Sequence, residues 1–511
     1  LHNRKHSFPT RRSSDLDRSR GQPRSNWRKD GRTARCEGLG LKLFKLNPAD
    51  FKPGFFMSSL SAYRHFWPYG LIWSGIIALF LLQHRLLEDA SLYQRTTGTF
   101  MLNYLRQGGW EDPQIVKAPL PYVPISEDNL SNWDAAIYAC IRDHGYRTGF
   151  NCYDSFRPSF MPAFPLLWRF SHLNFREIAV LNYFLFGLSL LILFDLFKIP
   201  HRQAYWLFAL LLTLPNAIIF AMPYSEALFL LSGLMASWAF VKKRTLLFFI
   251  AFYLLMLSRV ASLFIFLALL ASTFFYFSAA AQRKWSALRF PGLASAATVL
   301  AYLTYFLMVY FDTGSFDAYF RATKIDQDFL RWPSGISDWS KESLGLSLSA
   351  LLAVVLPSLG ILIRCLFKSN RNRSELIGLT AALYFAGLCV FQALHSGGNL
   401  HSFHRFIICS PPFFLLFFQS KFFSSKVYRA WLALSFAGAL VIAYSIPYAG
   451  KWQPEMTGML LLPLSLFFIS LFKGAEARWY WKLAAVLNIL VNFWWNGYLF
   501  NQYLSNAWIF T

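Results

Sequence analysis

The chain has 511 residues, of which 55% are hydrophobic and only 15% charged, and its formal net charge is +23. Soluble domains carry about 25% charged residues, so this composition excludes an ordinary soluble enzyme. The basic residues lie in short clusters between long uncharged runs, as in a protein that crosses a membrane many times. They form no shared face with aromatic residues, so we expect membrane lipids and no nucleic acid among the partners.

Residues 1–56 differ from the rest of the chain. They are rich in Lys and Arg and have no sustained period of a helix or a strand. Within them, residues 6–16 (HSFPTRRSSDL) resemble a translated sequencing adapter. We therefore expect 1–56 to be a non-native or disordered leader, with Met57 as the native start, and 57–511 to be a single transmembrane domain.

Hydrophobic runs continue from residue 67 almost to the end of the chain. Because a membrane-spanning helix needs roughly 20 apolar residues, they predict an all-α polytopic membrane protein with about 11–13 transmembrane helices. The predicted spans are 67–83, 175–197, 204–222, 226–241, 245–258, 261–279, 293–311, 345–367, 376–394, 405–420, 430–448, 456–472 and 482–500.

Charge distinguishes the two sides of the predicted bundle. Basic clusters, such as Lys242-Lys243-Arg244, recur in every second connection, and positive loops remain in the cytoplasm. If the stretch 245–279 crosses twice, the two long loops 84–174 and 312–344 both fall on the extracytoplasmic face. We expect a multi-pass protein of the bacterial inner (plasma) membrane, with its active site facing outside.

The first long loop carries most of the candidate chemistry. Residues 131–145 predict a short helix with Ser131 or Asn132 as its N-cap. The prolines of 158–165 argue against an ordinary helix there. Cys140 and Cys152 share this loop, and the sequence leaves open whether they form a disulfide or remain free thiols.

Several motifs resemble one known family, the PIG-V-type mannosyltransferases. The first-loop signature consists of Trp133-Asp134, Tyr138, Gly145-Tyr146, Phe160-Met161-Pro162-Ala163-Phe164-Pro165 and Arg169. Further matches follow in the family's order at 223–229 (PYSEALF), Ser258-Arg259, 313–319 (TGSFDAY) and 402–406 (SFHRF). Two departures are Ala163 in place of a leucine and His404-Arg405-Phe406 in place of Leu-Arg-Tyr.

The resemblance implies a GT-C-like bundle and an inverting glycosyltransferase. Its donor would be a polyprenyl-phosphate-linked hexose, with mannose the expected sugar, and its acceptor a glycan or a lipid at the extracytoplasmic face. Because such a donor carries its own leaving group, we expect no organic cofactor, and a need for a divalent cation stays open.

Asp134 is the candidate general base, since an inverting transfer needs a group that takes the proton of the acceptor hydroxyl. The alternative role is a carboxylate that complements the positive end of its helix. Arg259 and Arg405 are candidates to hold the donor phosphate, which a guanidinium binds in a bidentate manner. The alternative for both is an ion pair with Glu226 or with another acidic residue of the outer side.

Glu226 either complements the N-terminus of its own helix or binds a sugar hydroxyl. Trp133, Tyr138 and Tyr146 are expected to shape the sugar pocket, because aromatic faces pack on sugar C–H surfaces. His404 is expected to make polar or phosphate contacts.

Two groups of residues contain side chains that can bind metal ions. The spacing of His395, His401 and His404 is a weak match to a zinc site, so we expect no metal there. Asp312 and Asp317 could add a second carboxylate or bind a divalent ion, and solvated loop acids are the simpler interpretation.

Two other classes of protein fit the hydropathy. A lipid or glycan transporter or flippase would place charged groups at the membrane midplane, often in repeated halves. An enzyme like an O-antigen polymerase or ligase would rely on Arg and His in outer loops. Here the acids lie in the outer loops, no halves repeat and the number of predicted spans is odd, which argues against a transporter. The early Trp133-Asp134 loop argues against a polymerase or ligase.

Overall fold

The protein is represented by a computed structural model. It describes residues 60–86, 123–150, 152, 157–278, 288–323, 332–333, 341–366, 373–395, 397, 399–400, 402–445, 454–474 and 478–505. These residues form α-helices and short 3-10 or π turns, and they contain no β-strand. The predicted all-α class is therefore confirmed for the described residues. The predicted leader 1–56 and the candidate His401 lie outside them.

The first part of the chain alternates long helices with short loop helices. The helices are α1 (Leu60–Leu86), α2 (Glu127–Leu130), α3 (Asp134–His144), α4 (Ala163–Ser171), α5 (Phe175–Phe197), α6 (His201–Leu212), α7 (Glu226–Val241), α8 (Thr245–Ser258) and α9 (Ser262–Ser278). Two 3-10 turns, Arg157–Ser159 and Ala217–Ala221, precede α4 and α7.

The second part continues the bundle. Its helices are α10 (Arg289–Thr313), α11 (Ala318–Thr323), α12 (Lys341–Ala350), α13 (Leu356–Leu366), α14 (Arg373–His395), α15 (Phe403–Ile408), α16 (Pro411–Gln419), α17 (Lys426–Ser445), α18 (Pro454–Gly474) and α19 (Trp479–Leu504). A π turn, Leu351–Val355, joins α12 to α13, and a 3-10 turn, Lys421–Ser424, precedes α17.

Among the residues that the structure describes, six helical stretches are long and apolar enough to cross a membrane. They are Phe175–Phe197, Arg289–Thr313, Leu344–Cys365, Leu376–Leu394, Thr457–Gly474 and Trp479–Leu504. Large apolar side chains such as Phe311, Val299 and Leu434 are more than two-thirds exposed on the surface of the bundle. Exposed apolar surface of this extent is expected of a protein surrounded by lipid, so the chain has the character of a multi-pass membrane protein.

Two predicted spans are interrupted. The stretch 204–222 divides into α6 and a 3-10 turn, and 405–420 divides into α15 and α16. Hydropathy does not detect these interruptions because Pro215 and Pro411 lie within otherwise apolar runs. Irregular backbone within a membrane protein is tolerated where it is buried in protein, and both interruptions lie in the core next to the residues described below.

Candidate active site

Asp134 opens the loop helix α3. The predicted caps, Ser131 and Asn132, are wrong: the N-cap is Trp133, which makes no side-chain capping bond. The amide of Asn132 instead donates to the carbonyl oxygen of Tyr503, at 2.8 Å. Trp133 is half-buried and has a φ of 55°, a value that costs energy for a residue with a side chain. This strained N-cap precedes the carboxylate, whose side chain is 21% exposed.

Glu226 begins α7 directly after a tight turn and is buried. The turn is fixed from α5, because the amide of Asn182 donates to the carbonyl oxygens of Met222 (2.6 Å) and Tyr224 (2.8 Å). The first residue of a helix is a favourable position for a carboxylate. The structure therefore contains the helix-terminal arrangement that the sequence suggested for Glu226.

Arg259 lies in the short break between α8 and α9, where the chain is extended. Its guanidinium forms an ion pair with Glu226 and lies over the ring of Phe406, with 5.4 Å between the guanidinium carbon and the ring centroid. The break thus brings a cation to a buried carboxylate.

Arg405 lies on α15, whose N-cap Ser402 is in the left-handed conformation, with a φ of 57°. Nε of Arg405 donates to Oε1 of Glu226 at 2.9 Å, and Nη2 lies 2.9 Å from Oδ2 of Asp134. The guanidinium carbon also lies 4.9 Å from the centroid of the Tyr224 ring. Arg405 is buried and joins the two carboxylates.

Asp134, Glu226, Arg259 and Arg405 therefore form one cluster with two positive and two negative side chains, which we call the ionic quartet. Oε1 of Glu226 serves both arginines, whereas Oε2 accepts no hydrogen bond from any described residue. Burying charged groups is favourable only when each has a partner. The ion pair with Glu226 that the sequence offered as one alternative for both arginines is present.

Tyr138 lies one helical turn after Asp134. Its hydroxyl is 2.7 Å from Oγ of Ser225, the residue before Glu226, and its ring packs edge-on against Phe160 and Phe164. Burial raises the pKa of Tyr138 well above its ordinary value, so the hydroxyl stays protonated. Tyr138 connects the loop helix to the turn that carries Glu226.

Tyr146 belongs to a neighbouring cluster, and its hydrogen bonds go to residues outside the ionic quartet. Its hydroxyl donates to the carbonyl oxygen of Phe160 at 2.8 Å, and its N–H donates to Oδ2 of Asp312 at 2.8 Å. Gly145 has a φ of 64°, and a Cβ at this position would lie 2.3 Å from that carboxylate oxygen. The hydrogen bond from Tyr146 to Asp312 therefore fixes the chain just after the end of α3. Asp317 is exposed and forms an ion pair with Arg321 at 3.1 Å.

His404 is fully buried on α15, and its Nδ1 is 3.2 Å from Oγ of Ser347 on α12. This is a polar contact of the kind that the sequence suggested. His395 ends α14. In the part of the chain that the structure describes, no group of three or more His, Cys, Asp or Glu side chains is arranged to hold a metal ion.

Cys140 and Cys152 are joined by a disulfide. The bond ties the middle of α3 to the loop that follows it, twelve residues later. It resolves the alternative that the sequence left open.

Helix α19 contacts the segments that carry the site, a role that does not follow from the motifs of the sequence. The hydroxyl of Tyr503 donates to the carbonyl oxygen of Leu130 at 2.7 Å, and its ring packs edge-on against Tyr224. Asn496 accepts from the N–H of Ile218 at 3.0 Å and donates to the carbonyl oxygen of Leu214 at 2.8 Å. A signal was available: Asn488, Asn492 and Asn496 recur every four residues in an apolar helix, which indicates one buried polar face.

In comparisons with known proteins, no family model, no curated protein and no solved structure matches this chain.

Proposed function

We propose that this protein is an integral membrane glycosyltransferase with a GT-C-like bundle. It would move a hexose, with mannose the expected sugar, from a polyprenyl phosphate to a glycan or lipid acceptor on the extracytoplasmic face. The chemistry would take place at the ionic quartet, with inversion at the anomeric carbon.

The observation that carries the proposal is the meeting of Asp134, Glu226 and two arginines from four separate segments of the chain. Each lies in a different motif of the resemblance to the PIG-V-type family. Structural ion pairs can also bring distant residues together. The strained N-caps Trp133 and Ser402 favour a functional interpretation, because such backbone conformations cluster at functional sites.

In the proposed reaction, Asp134 takes the proton of the acceptor hydroxyl while that oxygen attacks the anomeric carbon. The new glycosidic C–O bond forms as the bond between the anomeric carbon and the phosphate oxygen breaks. The polyprenyl phosphate leaves with the electron pair of the broken bond. Asp134 is the one member of the ionic quartet that extends from a loop helix, and its partial exposure suits a group that must reach an incoming hydroxyl.

Arg405 and Arg259 would stabilise the negative charge on the leaving phosphate. Both guanidinium groups already form ion pairs with carboxylates. The donor phosphate would therefore bind to guanidinium groups that also contact Glu226. Oε2 of Glu226 is a buried acceptor without a hydrogen bond from the described residues, and a sugar hydroxyl is a donor that suits it. Trp133, the N-cap of α3, and Tyr138, one turn after Asp134, would shape the sugar pocket together with Tyr146.

Two features support an extracytoplasmic site in a bacterial inner membrane. Disulfides persist in oxidising compartments, and the Cys140–Cys152 bond joins the loop helix that carries Asp134 to the loop that follows it. The basic clusters on the alternate connections fit the cytoplasmic side. A lipid-linked donor suits this location because nucleotide sugars are not available there.

The test uses the purified full-length protein in liposomes with radiolabelled polyprenyl-phosphate-mannose and a total membrane-lipid and glycan extract as acceptor. The proposal predicts release of polyprenyl phosphate and transfer of the label to an acceptor, with both lost in Asp134→Asn. Glu127→Gln, an exposed acid of the same loop, is the matched control. If neither mannose nor other polyprenyl-linked hexoses are transferred by a folded protein, the proposal is wrong.

One structural feature favours a transporter as the second candidate. Interrupted helices next to buried charges, as at Arg259 and Arg405, are typical of secondary transporters. The same liposomes distinguish the two classes, because a transporter or flippase moves the labelled lipid across the bilayer with its sugar–phosphate bond intact. A polymerase or ligase would instead join preassembled glycans.

A further inference from the structure

A narrow apolar cavity lies between α1, α5 and α19. Its volume is about 220 Å³, and its walls include Ile77, Phe80, Val180, Tyr183, Phe493 and Phe500. Pockets for drug-sized ligands span roughly 300–1,000 Å³. This cavity therefore suits a single hydrocarbon chain better than a bulky polar group.

The cavity opens on the surface that lipid would cover. Leu81 and Val180 both line it, and each is 55% exposed in the structure. In a multi-pass membrane protein, exposed apolar side chains on long helices contact acyl chains. Leu81 and Val180 mark the place where a chain from the surrounding bilayer would enter the cavity.

A cation lies at the rim of the cavity. Arg176, in the first turn of α5, is exposed and lines the same cavity. The described residues place no carboxylate in an ion pair with Arg176, and Oε2 of the neighbouring Glu177 accepts from the N–H of Asn174 at 2.9 Å. A guanidinium at the edge of an apolar groove complements a lipid phosphate.

The cavity shares walls with the segments that hold the ionic quartet. Leu130, which lines it, is four residues before Asp134, and Ala221 lines it five residues before Glu226. Arg259 and Arg405 do not line it. The cavity is therefore adjacent to the candidate active site and separate from the proposed position of the donor phosphate.

We infer that this cavity is a binding site for an anionic membrane phospholipid. One acyl chain lies between α1, α5 and α19, and the headgroup phosphate lies against Arg176. The bound lipid stabilises the loop segment at Leu130 and the turn at Ala221, and through them the ionic quartet. This inference does not depend on which reaction the protein catalyses.

The experiment compares the full-length protein in nanodiscs of phosphatidylcholine with and without phosphatidylglycerol. We expect phosphatidylglycerol to be retained when the protein is released for native mass spectrometry, and to shift the thermal unfolding midpoint upward. Arg176→Gln should lose both effects. Arg321→Gln, which removes the same charge from an exposed arginine elsewhere, should keep both.

A second pair of variants tests the hydrocarbon part of the site. Val180→Trp should fill the opening and reduce retention, whereas Val299→Trp, at a similarly exposed apolar position on α10, should not. A photoreactive phosphatidylglycerol should label peptides from α1, α5 or α19. The inference is overturned if phosphatidylcholine is retained equally well, or if Arg176→Gln and Val180→Trp retain phosphatidylglycerol as the wild type does.

Competition separates this lipid from a substrate lipid. If a polyprenyl phosphate displaces phosphatidylglycerol at equal concentration, the cavity belongs to the donor and the inference is wrong. The outcome is independent of the glycosyltransferase proposal, because Asp134→Asn should abolish transfer while leaving phosphatidylglycerol bound. If the wild type transfers none of the sugars but retains phosphatidylglycerol normally, only the glycosyltransferase proposal is rejected, and the lipid-site inference stands.

Discussion

Arg405 and Asp134 are 271 residues apart in the chain, yet Nη2 of the arginine lies 2.9 Å from Oδ2 of the aspartate. The same guanidinium donates to the buried Glu226. Arg405 thus fixes the position of a partly exposed carboxylate relative to a fully buried one. A group that must accept a proton at a defined point benefits from this restraint, because small displacements of reacting groups reduce rates strongly.

Asp134→Asn should lower the rate of sugar transfer by roughly 10²–10⁴-fold, the usual contribution of a general base. The amide cannot take the acceptor proton, but it can still accept the hydrogen bond from Arg405, so the fold should survive. Steady-state transfer assays and thermal unfolding in detergent measure the two effects. Near-normal turnover in the variant would show that Asp134 has another role.

Glu226→Ala should be far more destabilising than Asp134→Asn. It leaves two buried guanidiniums without their shared partner, and breaking a buried ion pair costs about 3–5 kcal/mol. The apparent unfolding midpoint should fall sharply, while Glu127→Gln at an exposed site should change stability by less than about 0.5 kcal/mol.

A double-mutant cycle isolates the pair with Arg259. The double variant Glu226→Ala with Arg259→Ala should lose less free energy of unfolding than the two single variants lose in sum. The reason is that Arg259, which the Glu226→Ala change alone leaves without its carboxylate partner, is absent from the double variant. Strict additivity of the three measurements would mean that the pair contributes no coupling energy.

The sequence predicts the long helices well because their signals are local. The predicted span 175–197 matches α5 at both ends, and its start carries a capping box in which Asn174 and Glu177 satisfy each other's backbone N–H groups. The identity of Asp134, Glu226, Arg259 and Arg405 as candidates also came from the sequence. The pairing of both arginines with Glu226 was one of two alternatives that the sequence offered. The sequence could not choose between these alternatives or place Asp134 in the same cluster, because contacts across 271 residues leave no periodic pattern.

The sequence fails where tertiary contacts override local preference. The expected cap Asn132 is used instead to hold Tyr503, so the backbone of Trp133 takes the N-cap position in a strained conformation. Pro165 was expected to prevent a helix, yet α4 begins at Ala163 and accommodates the proline in its first turn, where an N–H is not needed.

The disulfide gives a prediction about the loop. The double change Cys140→Ser with Cys152→Ser should lower the free energy of unfolding by about 3 kcal/mol. This is the value that the chain-entropy model gives for a disulfide that closes a loop of similar length. It should also loosen the C-terminal half of α3. Peptide mapping without reductant should recover the two cysteines as one linked pair in the wild type. Cys365→Ser, at a partly buried cysteine outside this disulfide, is the control and should leave both the link and the loop unchanged.

Tyr503→Phe tests whether α19 positions the loop segment that precedes Asp134. The change removes one hydroxyl, which donates to the carbonyl oxygen of Leu130, and should cost about 0.5–1.5 kcal/mol of stability. The proposed function adds a second expectation: kcat should fall while KM for the donor stays nearly constant, because Asp134 moves and the phosphate-binding arginines do not.

Hydrogen exchange distinguishes positioning from a general loss of stability. Amides of residues 130–136 should exchange faster in Tyr503→Phe, with the rest of the bundle unchanged, and Tyr480→Phe at an exposed site on the same helix should show neither effect. If exchange rises evenly along the chain, Tyr503 contributes only to overall stability. If exchange in 130–136 rises but kcat stays normal, the position of this segment does not limit the reaction. The contact with α19 would then contribute only to the stability of the fold.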